Sequence, residues 1–519
     1  MEYELNIDNK KMVSFVLIGL FALISLWMNL NTTFGSNIIF GDEGYHAHLA
    51  GWIAENDEIP VYTPLYGTEV YQDYWGRPPF PHLMFAGIFN IFGFSEFWIN
   101  LMLPVMLVMI GLVAYLFARE YSEYAGLAAF FIVVMTPSLI TYAVTFYSEM
   151  PFVLFFSLAV YILYKALQGE SSLAPLAGVF GGAAVLCKAT GIAIFPVFLL
   201  AFVWFYMKNK DKNIIKTFVI AFTVLILMSA PYFARNMAFT GNLLSTSMLS
   251  GESVEPVESF DGRTDESGTE LDILSYGILN YMAFSYGLPV GMLLLLGVIY
   301  ASLKRDRFSI FMLLWVLIML GGIFVKGGMV GRVEDTSRYL LPIVIPLAVM
   351  SSVFISDALN GLNKKKLFVA GVAALLVFAW FAYGIASEKA DTMASVKQFS
   401  SSFYKGSEWI ENNTPEDSVI LSLWTHQTVY TAQRKSFWEL PELADILVNP
   451  GNRTLEVLER NGIDYIYVQK WSMSPENLRQ KYPEPFVNFV ARNFNMSYEY
   501  PEGCMVDTQQ ADCVAVFEV

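Results

Sequence analysis

Cysteine is scarce in this chain, three in 519 residues, and neither cysteine nor histidine occurs at a metal-ligand spacing. That excludes a disulfide-dense scaffold and a zinc-finger-type site. Charge is also sparse, with 15% Asp, Glu, Lys and Arg and a net −15, which excludes nucleic acid as a partner. There is no glycine-rich phosphate loop, no ATP motif and no nucleophile elbow, so the chemistry does not use those devices. No small-residue cleavage site follows the first apolar run, which therefore reads as a retained span rather than a removed signal.

Apolar sequence is abundant. The chain is 55% hydrophobic and 16% aromatic, with a mean hydropathy of +0.47, and its apolar runs repeatedly approach the length that crosses a bilayer. Eleven spans are expected, at 12–30, 97–118, 124–142, 150–167, 173–187, 190–207, 214–233, 285–303, 308–325, 339–356 and 367–385. With these spans, fourteen Lys and Arg residues fall on the N-terminal side of the membrane, clustered at Lys10–Lys11, Lys208–Lys216, Lys304–Arg307 and Lys364–Lys366. Seven fall in the loops of the other side, the tail left aside. The positive-inside rule then puts the N-terminus in the cytoplasm of a multi-pass cell-membrane protein. The segments 31–96, 143–149, 188–189, 234–284, 326–338 and 386–519 lie outside.

The outer segments carry more pattern than plain loops. Residues 43–56 place Tyr45, Leu49, Trp52 and Ile53 on one helical stripe, expected to lie along the membrane interface. Residues 80–93 are apolar but short, and read as an interfacial or re-entrant helix. Residues 251–270 are acidic and Gly/Ser-rich and read as a mobile loop. In the tail, Ser407–Asn413 reads as a helix end and Ser418–Leu423 as a strand. A helix is expected at Leu455–Asn461, stopped by Gly462, followed by a strand at Ile463–Val468. The expected organisation is a polytopic α-helical membrane domain, 1–385, followed by a small extracytoplasmic α/β domain, 386–519. Cys504 and Cys513 flank a short acidic loop and pair if this tail faces an oxidising space. Four glycosylation sequons, at Asn31, Asn412, Asn452 and Asn495, all fall in outer segments.

The chemistry-bearing residues gather on that same outer face. Asp42-Glu43 follows the first span, where a carboxylate can take a proton from an acceptor hydroxyl, hold a metal, or merely cap the helix behind it. His46 lies four residues on, as a metal pair with Asp42 or as a structural histidine. Arg77 precedes Pro78-Pro79, which fix its direction; a guanidinium there grips phosphate or anchors at lipid headgroups. Glu149 stands at the head of an apolar helix. Lys188 sits between two closely coupled spans, on the side opposite the positive bias. Arg235 and Arg338-Tyr339 stand at membrane edges. Acids and cations on one face beside apolar grooves suit a substrate with both a phosphate and a lipid tail.

In order, Asp42-Glu43-x-Tyr45, Arg77-Pro78-Pro79, Ser148-Glu149-Met150-Pro151 and Lys188 resemble the motifs of the GT-C glycosyltransferases. The likeness is to the protein O-mannosyltransferase and lipid A aminoarabinose transferase group and covers about residues 12–360. It departs at Gly76, where that group tends to have an acid, at Arg77 for Lys, at Glu149 for Asp and at Ala189 for Gly. The resemblance implies a polyprenyl- or dolichyl-phosphate monosaccharide donor and transfer of a hexose or pentose, with inversion, to an unknown protein, glycan or lipid acceptor outside. It implies Asp42 as base supported by Glu43, Arg77 and Lys188 on the donor phosphate, and Glu149, Tyr45, Arg235, Arg338 and Tyr339 lining the site. No cofactor is required, although the acids admit a divalent cation. Competing readings are a flippase of lipid-linked sugar, expected to show internal repeats and mid-membrane charge, a metal-dependent oligosaccharyltransferase relative, and a non-catalytic scaffold.

Overall fold

The computed structural model describes residues 7–33, 42–67, 72–243, 288–325, 338, 340–360, 384, 388, 401–437, 446–447, 449–471, 484–505 and 512–519. The span expected at 367–385 falls almost wholly outside them, and the acidic loop 251–270 and Tyr339 do so entirely.

The N-terminal two thirds is helical. In chain order the helices are α1 Ile7–Thr33, α2 Glu43–Asn56, α3 Phe80–Phe92, α4 Glu96–Arg119, α5 Glu123–Val134, α6 Pro137–Ala143, α7 Glu149–Leu167, α8 Ala174–Cys187, α9 Ile194–Asn209 and α10 Lys212–Thr240. Leu288–Lys304 forms α11, Arg307–Val325 α12 and Val344–Asn360 α13. Six helical segments have the length and composition to cross a membrane. α5 and α6 pass the same test only together, as a broken span or a re-entrant loop bent by 58° where Pro137 cannot continue the ladder of α5. Four apolar helices, α3, α8, α11 and α12, are shorter. The chain is thus a polytopic helical membrane protein. α1 turns Phe15, Val16, Leu23 and Trp27 outward, which in a bilayer means toward lipid.

Local sequence sets the element ends. The Ser95 and Ser122 hydroxyls accept from Phe97 N and Ala125 N, capping α4 and α5. α8 is thin-skinned because it must touch α10. A Cβ on Gly178 would lie 2.4 Å from the Ala221 carbonyl oxygen, and one on Gly182 would lie 2.3 Å from Met228 Cβ. Such small residues let two helices approach where no aqueous hydrophobic effect drives them together.

The α2 stripe does not lie on lipid. Tyr45, Leu49 and Ile53 are buried in a cluster with Trp75 and Ala86. α2 packs between α3 and a helix of the tail, which covers the face an interfacial helix would show to solvent.

In the tail, α14 Ser401–Asn413, α15 Thr425–Ala432, α16 Asn452–Arg460 and α17 Glu484–Asn493 pack with strands β3 Val419–Leu421, β4 Lys435–Phe437, β5 Tyr465–Trp471, β6 Asn495–Tyr500 and β7 Asp512–Glu518. The sheet also takes in two strands from the first long loop, β1 Tyr62–Gly67 and β2 Gln72–Tyr74. The order is β2-β1-β4-β3-β5-β7-β6. β1, β4, β3 and β5 run parallel, with Tyr66 opposite Ser436 and Val419 opposite Lys435. β7 pairs antiparallel with β5 and β6. Cys504 and Cys513 form a disulfide with Cα atoms 5.6 Å apart, and the free Cys187 is buried.

Candidate active site

Asp42 is the residue before α2, yet its side chain makes no capping hydrogen bond. It faces other charges instead. Arg77 Nη1 and Arg338 Nη2 approach its Oδ2 at 3.7 and 3.6 Å, and His426 Nε2 approaches Oδ1 at 3.7 Å. Burial alone would raise its pKa, but Arg77, His426 and Arg338 hold the carboxyl well below the usual carboxylate range. Its backbone N–H donates to the Tyr147 hydroxyl at 3.3 Å.

Glu149, the first residue of α7, has no exposed side-chain surface, and its Oε1 accepts from Lys188 Nζ and Arg338 Nε, each at 2.7 Å. Lys188 is delivered by the break between α8 and the 3-10 turn Ala189–Ala193, where its backbone is extended, φ −155° and ψ 143°. Arg338 therefore bridges the two carboxylates, its guanidinium lying 4.6 Å from the centroid of the Tyr147 ring. The Arg77 guanidinium sits 4.2 Å over the Tyr45 ring, and its loop is pinned by the Tyr232 hydroxyl donating to the Gly76 carbonyl at 2.9 Å.

Two expected site residues make contacts beside the cluster. Glu43 Oε1 accepts from Phe146 N at 2.8 Å, which ties the start of α2 to the loop before α7. Arg235 donates to the Pro60 carbonyl and lies over Trp75, bracing the first loop. Asp42, Tyr45, Arg77, Glu149, Lys188 and Arg338 are brought together.

His82 and His426 are the part that sequence reading missed. His46 does not form a metal pair with Asp42; its Nδ1 is 2.8 Å from Nε2 of His82 on α3, with the rings stacked. Burial and Arg77 push His46 down to about 3, so it is neutral at ordinary pH. His426 comes from α15 of the tail, and its Nδ1 is 2.9 Å from the Tyr66 hydroxyl on β1. No spacing links residue 426 to residue 42, so no local pattern pointed to it. Among the described residues the one cluster with metal-ligand spacing, Glu499, Cys504 and Cys513, contains the disulfide and has no thiolate to offer.

The family model described as dolichyl-phosphate-mannose-protein mannosyltransferase matches residues 76–233, less than a third of the chain. No curated protein sequence matches. Among solved structures, the archaeal oligosaccharyltransferase AglB from Archaeoglobus fulgidus, in complex with an inhibitory peptide and a dolichol-phosphate, is similar with a TM-score of 0.67. The two are 16% identical, over 89% of this chain and 70% of AglB. Another AglB structure contains zinc and sulfate. ArnT from Cupriavidus metallidurans, bound to undecaprenyl phosphate, is similar with a TM-score of 0.65 and 13% identity, over 97% of both chains. The arabinofuranosyltransferase AftD from Mycobacteria gives 0.59 and 13% identity, over 97% of this chain and 40% of AftD. The shared fold is that of the GT-C superfamily. With the mannosyltransferase-family match over residues 76–233, it supports a GT-C membrane glycosyltransferase.

Proposed function

We propose that this protein transfers one monosaccharide from a polyprenyl- or dolichyl-phosphate donor to an acceptor hydroxyl or amide at the outer membrane face, inverting the anomeric carbon. The observation that carries the reading is the charge cluster around Asp42. Arg77, Lys188 and Arg338 against Asp42 and Glu149 leave these five groups at +1, which matches the single negative charge of a sugar phosphodiester. In the reaction the acceptor atom bonds to the anomeric carbon and the bond from that carbon to phosphate oxygen breaks. The acceptor proton passes to Asp42, and the lipid phosphate leaves with a second negative charge. The protonated cluster is then +2 and still balances its ligand. Arg77 and Arg338 stabilise the charge developing on the leaving phosphate, and Glu149 holds Lys188 and Arg338 in place. Tyr45, stacked under Arg77, borders the donor, and Arg235 and Glu43 support the loops that carry the site.

Among the described residues Asp42 is the one partly exposed carboxylate near Arg77, and two guanidinium groups already face it, a poor donor set for a divalent cation. This donor set supports reading the transfer as one that uses no metal. The AglB likeness keeps one second reading in view, a metal-dependent oligosaccharyltransferase-type reaction. The fourteen-to-seven basic asymmetry of the loops, the Cys504–Cys513 disulfide and the three sequons of the tail support an extracytoplasmic tail.

The test is sugar release from a labelled polyprenyl-phosphate monosaccharide by protein in lipid, with and without chelator, beside Asp42→Asn. Turnover that resists chelator and disappears in Asp42→Asn, with donor binding retained, is expected. Undiminished turnover in Asp42→Asn would refute the base assignment, and chelator-sensitive turnover would move the protein to the oligosaccharyltransferase-type reading. Saturable donor binding without turnover would favour a flippase.

A further inference from the structure

We propose that His426, supplied by the tail, is the positioning residue for Asp42, with Tyr66 of the first loop fixing the tautomer of its ring. The inference rests on Asp42 as the proton acceptor and adds the group that aims it.

Three independent contacts hold the imidazole. Its Nδ1 lies 2.9 Å from the Tyr66 hydroxyl, and its Nε2 lies 3.7 Å from Asp42 Oδ1. Its ring packs edge-on against Tyr45 with centroids 5.3 Å apart. The backbone is fixed as well. A Cβ on Gly44 would lie 2.6 Å from the His426 carbonyl oxygen, so α2 and α15 touch main chain to main chain two residues after Asp42. β1, which carries Tyr66, pairs with β4, which follows α15. Both sides of the Tyr66–His426–Asp42 row are thereby set by one sheet.

The tautomer follows from what each nitrogen faces. A lone pair on Nε2 would point at a carboxylate and repel it, so Nε2 carries the hydrogen and Nδ1 accepts from the Tyr66 hydroxyl. Burial, opposed in part by Asp42 and reinforced by Arg77, pushes His426 down to about 4, so it is a neutral donor at working pH. The groups facing it are Asp42, Arg77, Tyr45 and Tyr66. The N–H aimed at Oδ1, with the two guanidinium groups at Oδ2, fixes the rotation of the Asp42 carboxylate about its own bond. At 3.7 Å the contact is longer than a formed hydrogen bond, as catalytic contacts often are before substrate binds.

Four histidines in the chain make ring-nitrogen NMR of histidine-labelled full-length protein in lipid discs the direct test, with His426→Gln identifying the signal. The expected spectrum at neutral pH has His426 as the Nε2–H tautomer, and Asp42→Asn moves its Nε2–H resonance upfield. In turnover, His426→Ala is expected to lower kcat on the order of tenfold to a hundredfold with donor KM held. It also shifts the acid limb of kcat/KM to higher pH, because a donor that stabilises the Asp42 anion is gone. His426→Gln, which keeps an N–H, restores most of both. Tyr66→Phe, which leaves the backbone contacts intact, gives the same acid-limb shift in smaller measure. A His426 resonance indifferent to Asp42→Asn, or an acid limb unmoved in both His426→Ala and Tyr66→Phe, overturns the proposal. Resonance coupling without turnover in the unmodified protein upholds the His426–Asp42 pairing and refutes the transferase reading instead.

Discussion

Glu149 accepts from two cations at 2.7 Å while wholly buried, so its charge is compensated only by them. Glu149→Gln would leave Lys188 and Arg338 with Asp42 as the nearest remaining anion. A buried pair broken on one side costs about 3–5 kcal/mol, and thermal unfolding in detergent is expected to show a loss of that order. Arg338, freed from Glu149, would also swing toward Asp42, so turnover should fall in any fraction that folds. Asp42 titrates in the other direction from a typical general base. Its folded pKa is depressed, so its ion pairs contribute stability fully above the unfolded carboxylate value of about 3.9. That contribution is lost only as pH falls through the lower folded value. The pH profile of kcat/KM should accordingly stay flat from neutrality down to about pH 4; a limb between pH 6 and 7 would contradict Asp42 as the titrating group. A weak base suits this reaction, since the leaving group is already anionic and the acceptor proton is transferred late.

At the scale of elements, the site is held by the ends of helices rather than by their middles. Asp42 precedes α2, Glu149 opens α7, Lys188 stands between α8 and a 3-10 turn, and Arg338 lies just before Leu341–Ile343. The joint nearest Asp42 is α2 on α15 at Gly44. Gly44→Ala is expected to force these helices apart and to cost about 1–3 kcal/mol as an overpacked contact. The predicted signature is a lower Tm together with a larger loss of turnover, because the displaced group is His426. An unchanged Tm would mean that α15 yields freely at that point. The helical elements were legible because long apolar runs and their breaks are local properties. α3 and α4 begin and end within a residue or two of the expected boundaries, and the motif residues Asp42, Arg77, Glu149 and Lys188 did converge. What sequence could not supply was partnership over distance. The α2 stripe has the pattern of an interfacial helix, and nothing local distinguishes a lipid from α3 and α15 as the thing it packs against. Glu43 looks as reactive as Asp42 until Phe146 N is found bonded to it.

For the whole molecule, the seven-stranded sheet joins the first loop to the tail, which the sequence reading kept as separate units. Tyr66 pairs with Ser436, a separation of 436 − 66 = 370 positions. Parallel pairing of that kind forms only after a long loop has been closed, a slow and late event. During synthesis, Asp42, Arg77, Glu149 and Lys188 are all laid down within the first 188 residues, before Arg338 exists to bridge the two acids and well before His426 exists to face Asp42. At an elongation rate of roughly 5–20 residues per second, some tens of seconds separate the carboxylate from the residue that aims it. On the proposed mechanism the nascent helical bundle is chemically idle in the membrane, and the chain acquires its reactivity in one late step, when α15 and β4 dock against α2 and β1.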